Sequence, residues 1–497
     1  MSLVIRQKDA VFLQIECEKD LAKELNQYFT FYVPNYQYTP AYKKKIWDGQ
    51  IRLFNLYGRN IYVGLLDYIK EFCHNRSYKY EIDSENLLEK ESLTKEEFSD
   101  FVSSLKLKLK PHVHQLVASF HAINKKRTLL LSPTGSGKSL IIYILVRYYL
   151  SLLSKDEKIL IIVPTIGLVN QMYNDFSDYS NKTWDVEKDV HKVFSGQEKK
   201  NEKKIVVSTW QSLYNMPNEF FEDFTCVFGD ECHLFKAKSL TSLMTKLVNA
   251  HVRVGTTGTL DGALTHKLVT EGLFGKVFNV TTTKNLIDKN LLTDIEIKCL
   301  SLTHSDKNKQ QMKRTNYREE IEFLITNKER NEFIKKLSLS LKGNSLVLFN
   351  YVDLHGKVLH EMIKSEAKDR NIFFIYGGTD ADQREEIRKI LNDEENAILI
   401  ASYGTCSTGI NIPRINNVIF ASPSKSVVRV LQSIGRGLRK AKGKTKTHVY
   451  DISDDLSYKS YQNHTLKHLD ERIKIYNNEK FSFTLEKIKL KGDDNGI

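Results

Sequence analysis

The segment Ser132-Pro133-Thr134-Gly135-Ser136-Gly137-Lys138-Ser139 follows a short apolar strand, Thr128–Leu131, and opens an apolar run from Leu140 to Leu153. A loop of this kind works only in that setting. Its glycines let successive backbone N–H groups close around phosphate oxygens, and the following helix adds the positive end of its dipole. Lys138 then reaches the β- and γ-phosphates of a nucleoside triphosphate, and Ser139 holds Mg2+ through its hydroxyl. The strand–loop–helix order demands a parallel α/β sheet. The first position is Ser132, where the usual loop has Gly.

Around this loop the chain repeats short apolar strands between helical stretches. Thr128–Leu131, Ile159–Val163, Ile205–Ser208, Cys226–Gly229 and Val252–Gly255 form one set. The rhythm pauses around Thr281–Ser305 and restarts with Leu346–Phe349, Ile372–Ile375, Ala397–Ala401, Val418–Ala421 and Thr447–Tyr450. Two parallel-sheet domains of similar size are therefore predicted. Beyond Asp451 a Lys- and Tyr-rich tail reads as helical over Asn463–Tyr476, packing back on the second domain.

Asp230-Glu231-Cys232-His233 follows the strand Cys226–Gly229. Acidic residues also cap loops, but on the sheet that carries the phosphate loop two acids have separable tasks. Asp230 holds Mg2+ through water, and Glu231 orients and deprotonates the attacking water. In the second domain, Gln432-Ser-Ile-Gly-Arg436-Gly-Leu-Arg439 puts two arginines on one helix face. Such a pair is often merely solvated. In a two-domain ATPase it reaches across a cleft and offsets charge on the departing γ-phosphate, so that closure is required for hydrolysis.

Composition narrows the partners. Lys and Arg number 74 against 61 Asp and Glu, a net of +13, which favours a polyanion. The run Leu140–Leu153 contains Arg147 and is too short to cross a bilayer, so no membrane partner is expected. The six cysteines form no C-x-x-C pair, which speaks against a zinc ribbon and for a reducing cytoplasm.

Residues 1–80 read as a small β-rich module, with strands near Val11–Ile15, Gln50–Asn55 and Ile61–Leu66 and a hairpin at Asp48-Gly49. Between Tyr28 and Tyr80, eight basic residues, among them Lys43, Lys44 and Lys45, face three acids and interleave with dense aromatics such as Tyr32, Tyr38 and Tyr57. That mixture suits nucleic acid; it equally suits an aromatic core with a solvated basic edge. Residues 81–104 begin acidic, with eight acids against two lysines up to Asp100, and read as a solvated helix or linker.

Together these boxes resemble those of the superfamily 2 helicases, DExH type. Val163-Pro-Thr165-Ile-Gly-Leu-Val-Asn-Gln171, Val207-Ser-Thr209-Trp-Gln-Ser-Leu213, Gly255-Thr-Thr-Gly-Thr-Leu260, Leu348-Phe-Asn350 and Thr405-Cys-Ser-Thr408-Gly-Ile-Asn-Ile-Pro413 resemble motifs Ia to V, in order, over roughly residues 110–450. The resemblance implies an α/β fold of two tandem RecA-like domains, 105–282 and 283–450, preceded by a small α+β module and followed by a helical extension, 451–497. It implies a nucleic-acid-dependent ATPase using ATP and Mg2+. It also implies roles. Gln115 reads adenine, with His112 and His114 where the family has Arg and Tyr. His233 and Gln432 bridge nucleotide and domain interface, and Thr165, Thr209 and Thr408 touch the sugar-phosphate backbone. The aromatic module and the form of the last motif, Leu431 to Arg439, are similar to those of phage recombination helicases. That implies action on branched DNA, RNA–DNA hybrids and R-loops in recombination, repair and replication, with strand annealing, by a monomer working beside other recombination proteins in the host cytoplasm. A duplex translocase, an RNA helicase and a binding scaffold with a structural nucleotide site are the rival readings.

Overall fold

The computed structural model describes residues 2–83, 93–194, 202–235, 237–260, 263–407, 414–423, 426, 430–431, 433–435, 438, 440–441 and 444–490. The chain divides into two compact units, Met1–Ser132 with Ser136–Thr281, and Thr282–Ile497 with Pro133–Gly135.

The first unit opens with the small module. Its strands are β1 (Ser2–Gln7), β2 (Phe12–Cys17), β3 (Thr30–Tyr32), β4 (Gln50–Arg52), β5 (Asn60–Tyr62) and β6 (Lys79–Ile82). Four form a mixed sheet in the order β5-β2-β1-β6, with β1 and β6 parallel. Alternate residues Leu3, Ile5, Leu13 and Ile15 face the helices Lys19–Tyr28 and Leu66–Asn75, whose Leu21, Leu25, Ile69 and Phe72 complete a dry core. The expected boundary at residue 80 falls inside β6.

The hairpin predicted at Asp48-Gly49 does not form. β4 pairs instead with β3, with Phe31 opposite Ile51. Thr39 caps a short helix, Pro40–Lys43, and Lys45 takes a left-handed turn at φ +55°, so the residues before Asp48 cannot extend into a strand. The strand expected over Ile61–Leu66 stops at Tyr62, because Val63–Leu65 close a 3-10 turn into the next helix.

Part of the stretch expected as a solvated linker lies outside the described residues. The rest contains the helix Lys95–Ser104, started by a reciprocal Thr94–Glu97 cap. Its Phe98, with Leu105 just beyond, is buried in the core of the first α/β domain.

That domain is a parallel seven-stranded sheet in the order β13-β7-β12-β11-β8-β10-β9. Its strands are β7 (Arg127–Leu131), β8 (Lys158–Val163), β9 (Val190–Val193), β10 (Ile205–Thr209), β11 (Phe224–Gly229), β12 (Val252–Thr257) and β13 (Val277–Asn279). Both faces are covered. Ile159, Ile161 and Val163 of β8 enter one core, with the helices Lys138–Leu150 and Ile166–Tyr179. Leu160 and Ile162 enter the other, with Leu240, Leu243 and Phe274. This two-sided burial explains why the inner strands read as unbroken apolar runs. The unpredicted β9 and β13 are short strands at the two edges.

The module is docked on this domain rather than strung from it. Leu268 and Val269 of the helix Leu264–Phe274 belong to the module's core. Tyr68 donates to buried Glu271 at 2.6 Å, the Ala10 amide donates to Val248 O at 2.9 Å, and the Arg127 guanidinium donates to Ala10 O. A Cβ on Gly64 would lie 2.0 Å from Glu271 O, so only glycine permits the approach.

The second unit is another parallel seven-stranded sheet, β16-β17-β15-β18-β19-β14-β20. Its strands are β14 (Asp294–Thr303), β15 (Asn344–Phe349), β16 (Ile372–Ile375), β17 (Ile398–Ser402), β18 (Ile415–Phe420), β19 (Lys446–Asp455) and β20 (Phe483–Lys489). The predicted pause around Thr281–Ser305 is largely β14, ten residues long, with Ile295, Ile297 and Cys299 buried on one face. The tail is not a helical appendage. The helix His464–Asn478 forms near the expected place, but β19 runs on to Asp455 and β20 pairs in parallel with β14 at the sheet's edge. Among the described residues no helix is long and apolar enough to cross a membrane.

Candidate active site and nucleic-acid interface

In a parallel sheet, loops at the carboxyl ends of the strands collect the chemistry. The first sheet follows this rule. The phosphate loop leaves β7, the acidic box leaves β11, and the segments holding Thr165, Thr209 and Thr257 leave β8, β10 and β12.

The loop is braced from several sides. The Ser132 amide donates to Thr257 O at 2.8 Å, and the Ser132 and Ser136 hydroxyls lie 2.6 Å apart. Gly135 and Gly137 take φ of +84° and +82°, the left-handed region that glycine enters without strain. Lys138, first residue of the following helix, donates to Ser132 O at 3.5 Å. Gln115 donates to Ser136 O at 2.9 Å, while its own carbonyl accepts from the His112 amide at 2.8 Å. His114 Nε2 is 2.9 Å from the same Ser136 carbonyl. A Cβ on Gly137 would fall 2.1 Å from the Gln115 amide. Gln115 and His114, from one helix start, thus hold one carbonyl of the loop.

The acidic box is tied to the strand beside it. Thr256 donates to Asp230 Oδ1 at 2.7 Å, and the Glu231 amide donates to the same oxygen at 2.9 Å. Removal from water, and then the neighbouring Glu231 carboxylate, push Asp230 above the usual carboxylate range, although Lys138 and Thr256 pull the other way. Two adjoining carboxylates offer hard oxygen donors of the kind that Mg2+ takes. Glu231 sits at φ +53°, a left-handed turn costly for a side chain with a Cβ and a common mark of a working position.

His233 links the box to the end of β12. Its Nδ1 is 3.1 Å from Thr257 Oγ1 and 3.4 Å from Glu231 Oε2. Thr257 Oγ1 also donates to Thr259 O at 3.0 Å, an arrangement that suits His233 Nδ1 as the donor to Thr257. Cys232 is buried, and a Cβ on Gly229 or Gly255 would lie within 3 Å of its sulfur. These glycines make room for the box.

Thr209 ends β10 opposite Val163, the last residue of β8, and Thr165 lies two residues past that strand end. Both hydroxyls already serve the protein. Thr165 caps the helix Ile166–Tyr179 by accepting from the Leu168 amide, and Thr209 Oγ1 is 3.0 Å from Ser212 Oγ. In the module, Lys43, Lys44 and Lys45 are exposed around the short helix end, apart from the phosphate loop in sequence. The module's aromatics divide. Phe29 and Phe54 are core, whereas Tyr38 and Tyr57 are 75% and 97% exposed. Gln432, Arg436, Arg439 and Thr408 lie outside the described residues.

Three residues that motif reading did not single out meet this site. Thr256 and Thr257 carry a signal, because they end β12 inside the motif Gly255–Leu260. Tyr179, 2.9 Å from Ser139 Oγ, carries none: it lies forty residues from the loop, at the far end of a helix.

Comparison with known proteins agrees with this arrangement. Residues 104–262 match the type III restriction enzyme res-subunit family, 329–441 the helicase conserved C-terminal domain, and 3–83 the N-terminal domain of DNA helicase UvsW. The chain is 23% identical to the DNA 3'-5' translocase XPB2 of Sulfurisphaera tokodaii, over 73% of this chain and 87% of that protein. The crystal structure of T4 UvsW superposes with a TM-score of 0.52 at 32% identity, covering 99% of this chain and all of the other. Enterobacteria phage T4 ATP-dependent DNA helicase UvsW is 34% identical over 99% of this chain and its own full length. With two RecA-like sheets, a phosphate loop and end-to-end similarity of this order, the chain belongs to the UvsW family of ATP-dependent DNA helicases.

Proposed function

We propose that this helicase spends ATP on remodelling branched DNA and RNA–DNA hybrids: replication forks, recombination intermediates and R-loops. The observation that carries the reading is a phosphate loop and DECH box hydrogen-bonded into one site on a chain whose residues 3–83 match the UvsW N-terminal domain. Both sheets lie in one chain, which supports action as a monomer.

In this reading the amides of Pro133–Ser139 that carry N–H groups, together with Lys138, bind the β- and γ-phosphates. Ser139 and Asp230 hold Mg2+, which neutralises phosphate charge when bound. Gln115 faces adenine while it braces the loop. Glu231 orients water and takes its proton, and Thr256 keeps Asp230 from turning away. Arg436 and Arg439 offset charge on the γ-phosphate, with Gln432 beside them. His233 joins the acidic box to the segment after β12, where hydrolysis is transmitted to the track.

The track is phosphate-led. Thr165 caps a helix just past β8 and Thr209 ends β10; with Thr408 they offer hydroxyls and amides to a sugar-phosphate backbone without reading bases. The module adds selection. Lys43–Lys45 supply charge, and Tyr38 and Tyr57 supply exposed stacking faces. Tyr57 stands on a fixed turn, since Asn55 Oδ1 accepts from the Tyr57 and Gly58 amides at 3.0 and 2.9 Å.

A strand-displacement panel of fork, Holliday junction, R-loop and plain duplex tests the proposal. Branched and hybrid substrates should be resolved in preference to plain duplex, with DNA-stimulated ATPase, and Lys138→Ala should abolish both. Equal activity on all four would remove the branch selectivity. Translocation with no strand separation on any of them would favour a duplex translocase. Because Leu268 and Val269 complete the module's core, Tyr38→Ala with Tyr57→Ala is a cleaner probe of the module than its deletion. That pair should lower branched-DNA affinity by about tenfold or more.

A further inference from the structure

The hydroxyl of Tyr179 meets the hydroxyl of Ser139 at 2.9 Å, a hydrogen bond that either group can donate. Tyr179 is the last residue of the helix Ile166–Tyr179, and nothing in the motif pattern gives it a task. Packing fixes its ring. The ring packs edge-on against buried Tyr143, with centroids 5.6 Å apart and planes at 80°. Tyr143 stands one turn beyond Ser139 on the helix Lys138–Leu150, so both partners of Tyr179 share one helical face.

A serine hydroxyl that binds a cation offers oxygen lone pairs and must send its single proton elsewhere. A proton left to rotate toward the cation opposes binding. We propose that Tyr179 is a positioning residue for the metal-binding hydroxyl of Ser139: its Oη accepts the Ser139 proton and so turns the Ser139 lone pairs toward Mg2+. This rests on the reading of Ser139 as an Mg2+ ligand. Tyr179 touches neither the cation nor the nucleotide. The same helix begins at Thr165, about 21 Å away along its axis, so one rigid element joins a proposed backbone contact to the metal-binding serine.

The test reads metal-dependent binding rather than turnover. The full chain is titrated with Mg2+ in the presence of a fluorescent ADP analogue, for the parent, Tyr179→Phe, Ser139→Ala and the double variant. Phenylalanine keeps the ring packed on Tyr143 and removes only the hydroxyl, and thermal unfolding verifies that each variant is folded. Loss of one hydrogen bond should raise the half-saturating Mg2+ of Tyr179→Phe by about three- to tenfold. Ser139→Ala should raise it at least as far, and the double variant no further than Ser139→Ala, because the two changes break one unit. An unchanged midpoint in Tyr179→Phe beside a raised one in Ser139→Ala overturns the proposal and leaves the Ser139 reading standing. Additive shifts in the double variant overturn it as well. An unchanged midpoint in Ser139→Ala overturns both.

Discussion

Asp230 ends a strand segment of the first sheet, and Asp454 lies inside β19 of the second; burial presses on both carboxyls, yet they move in opposite directions. Asp230 rises, with burial and the Glu231 carboxylate outweighing the relief from Lys138, Thr256 and the Glu231 amide. At Asp454 burial also works upward, but Arg330 and His304 more than reverse it and the carboxyl ends below its usual range. Arg330 Nε is 2.9 Å from both Asp454 oxygens and His304 Nε2 is 3.0 Å from one, and all three side chains are fully buried. The neighbouring Asp451 is served in the same way by Arg472 at 2.8 Å and Tyr476 at 2.7 Å. A buried charge whose partners are all in the chain is scaffold. A buried charge left in deficit suits a partner that the chain does not supply, which in the proposed function is a cation and a nucleotide.

Four measurements can break or sharpen that contrast. The largest effect belongs to Glu231→Gln: single-turnover ATP hydrolysis should fall by about a thousandfold or more, while nucleotide binding stays within a few-fold of the parent. Retained hydrolysis would move the base elsewhere. Next comes Asp454→Asn, which strands Arg330 in the core; denaturant unfolding of the second unit should lose about 3–5 kcal/mol. Asp230→Asn should do the reverse. It removes a charge in deficit, so hydrolysis is lost while the unfolding free energy rises by about 1 kcal/mol or less. Loss of stability there would show that Asp230 is paired like Asp454.

The smallest effect is in the pH profile. A carboxyl depressed in the folded state stabilises above its unfolded value and loses that contribution as pH falls through the folded one. The Asp454 contribution should thus be level from neutral pH to about 4 and vanish below it. Urea midpoints measured from pH 7 to 3 should show an acid limb that Asp454→Asn flattens.

The same division governs how much the sequence disclosed. The phosphate loop and the DECH box were legible because their chemistry allows few substitutes and their strand-end setting is fixed. The inner strands were legible because burial on both faces leaves continuous apolar runs. β14 was missed because Asp294, Glu296 and Lys298 alternate with its apolar residues, so it lacks the unbroken apolar run that marks the inner strands. β20 was missed because it is an exposed edge strand, Phe483-Thr-Leu-Glu-Lys-Ile-Lys489, with more charge than core. The false hairpin followed from trusting Asp-Gly locally, when the partner of β4 had already been fixed across the module at β3. Contacts that join distant hydroxyls, such as Ser139 with Tyr179, have no periodicity at all and become visible only when the sheet brings them together.

The docking of the module also bears on how the protein is made. A ribosome releases β1 to β6 long before it reaches Leu268 and Val269, which the module needs to close its core. At about 5–20 residues per second, that gap leaves a nascent module unfinished for roughly 10–40 s. During that interval β5 and the turn Val63–Leu65, on which the helix Leu264–Phe274 packs, wait for a cover that has not yet been synthesised. Newly made chains therefore pass through a stage in which all six strands of the module exist but its core is still open.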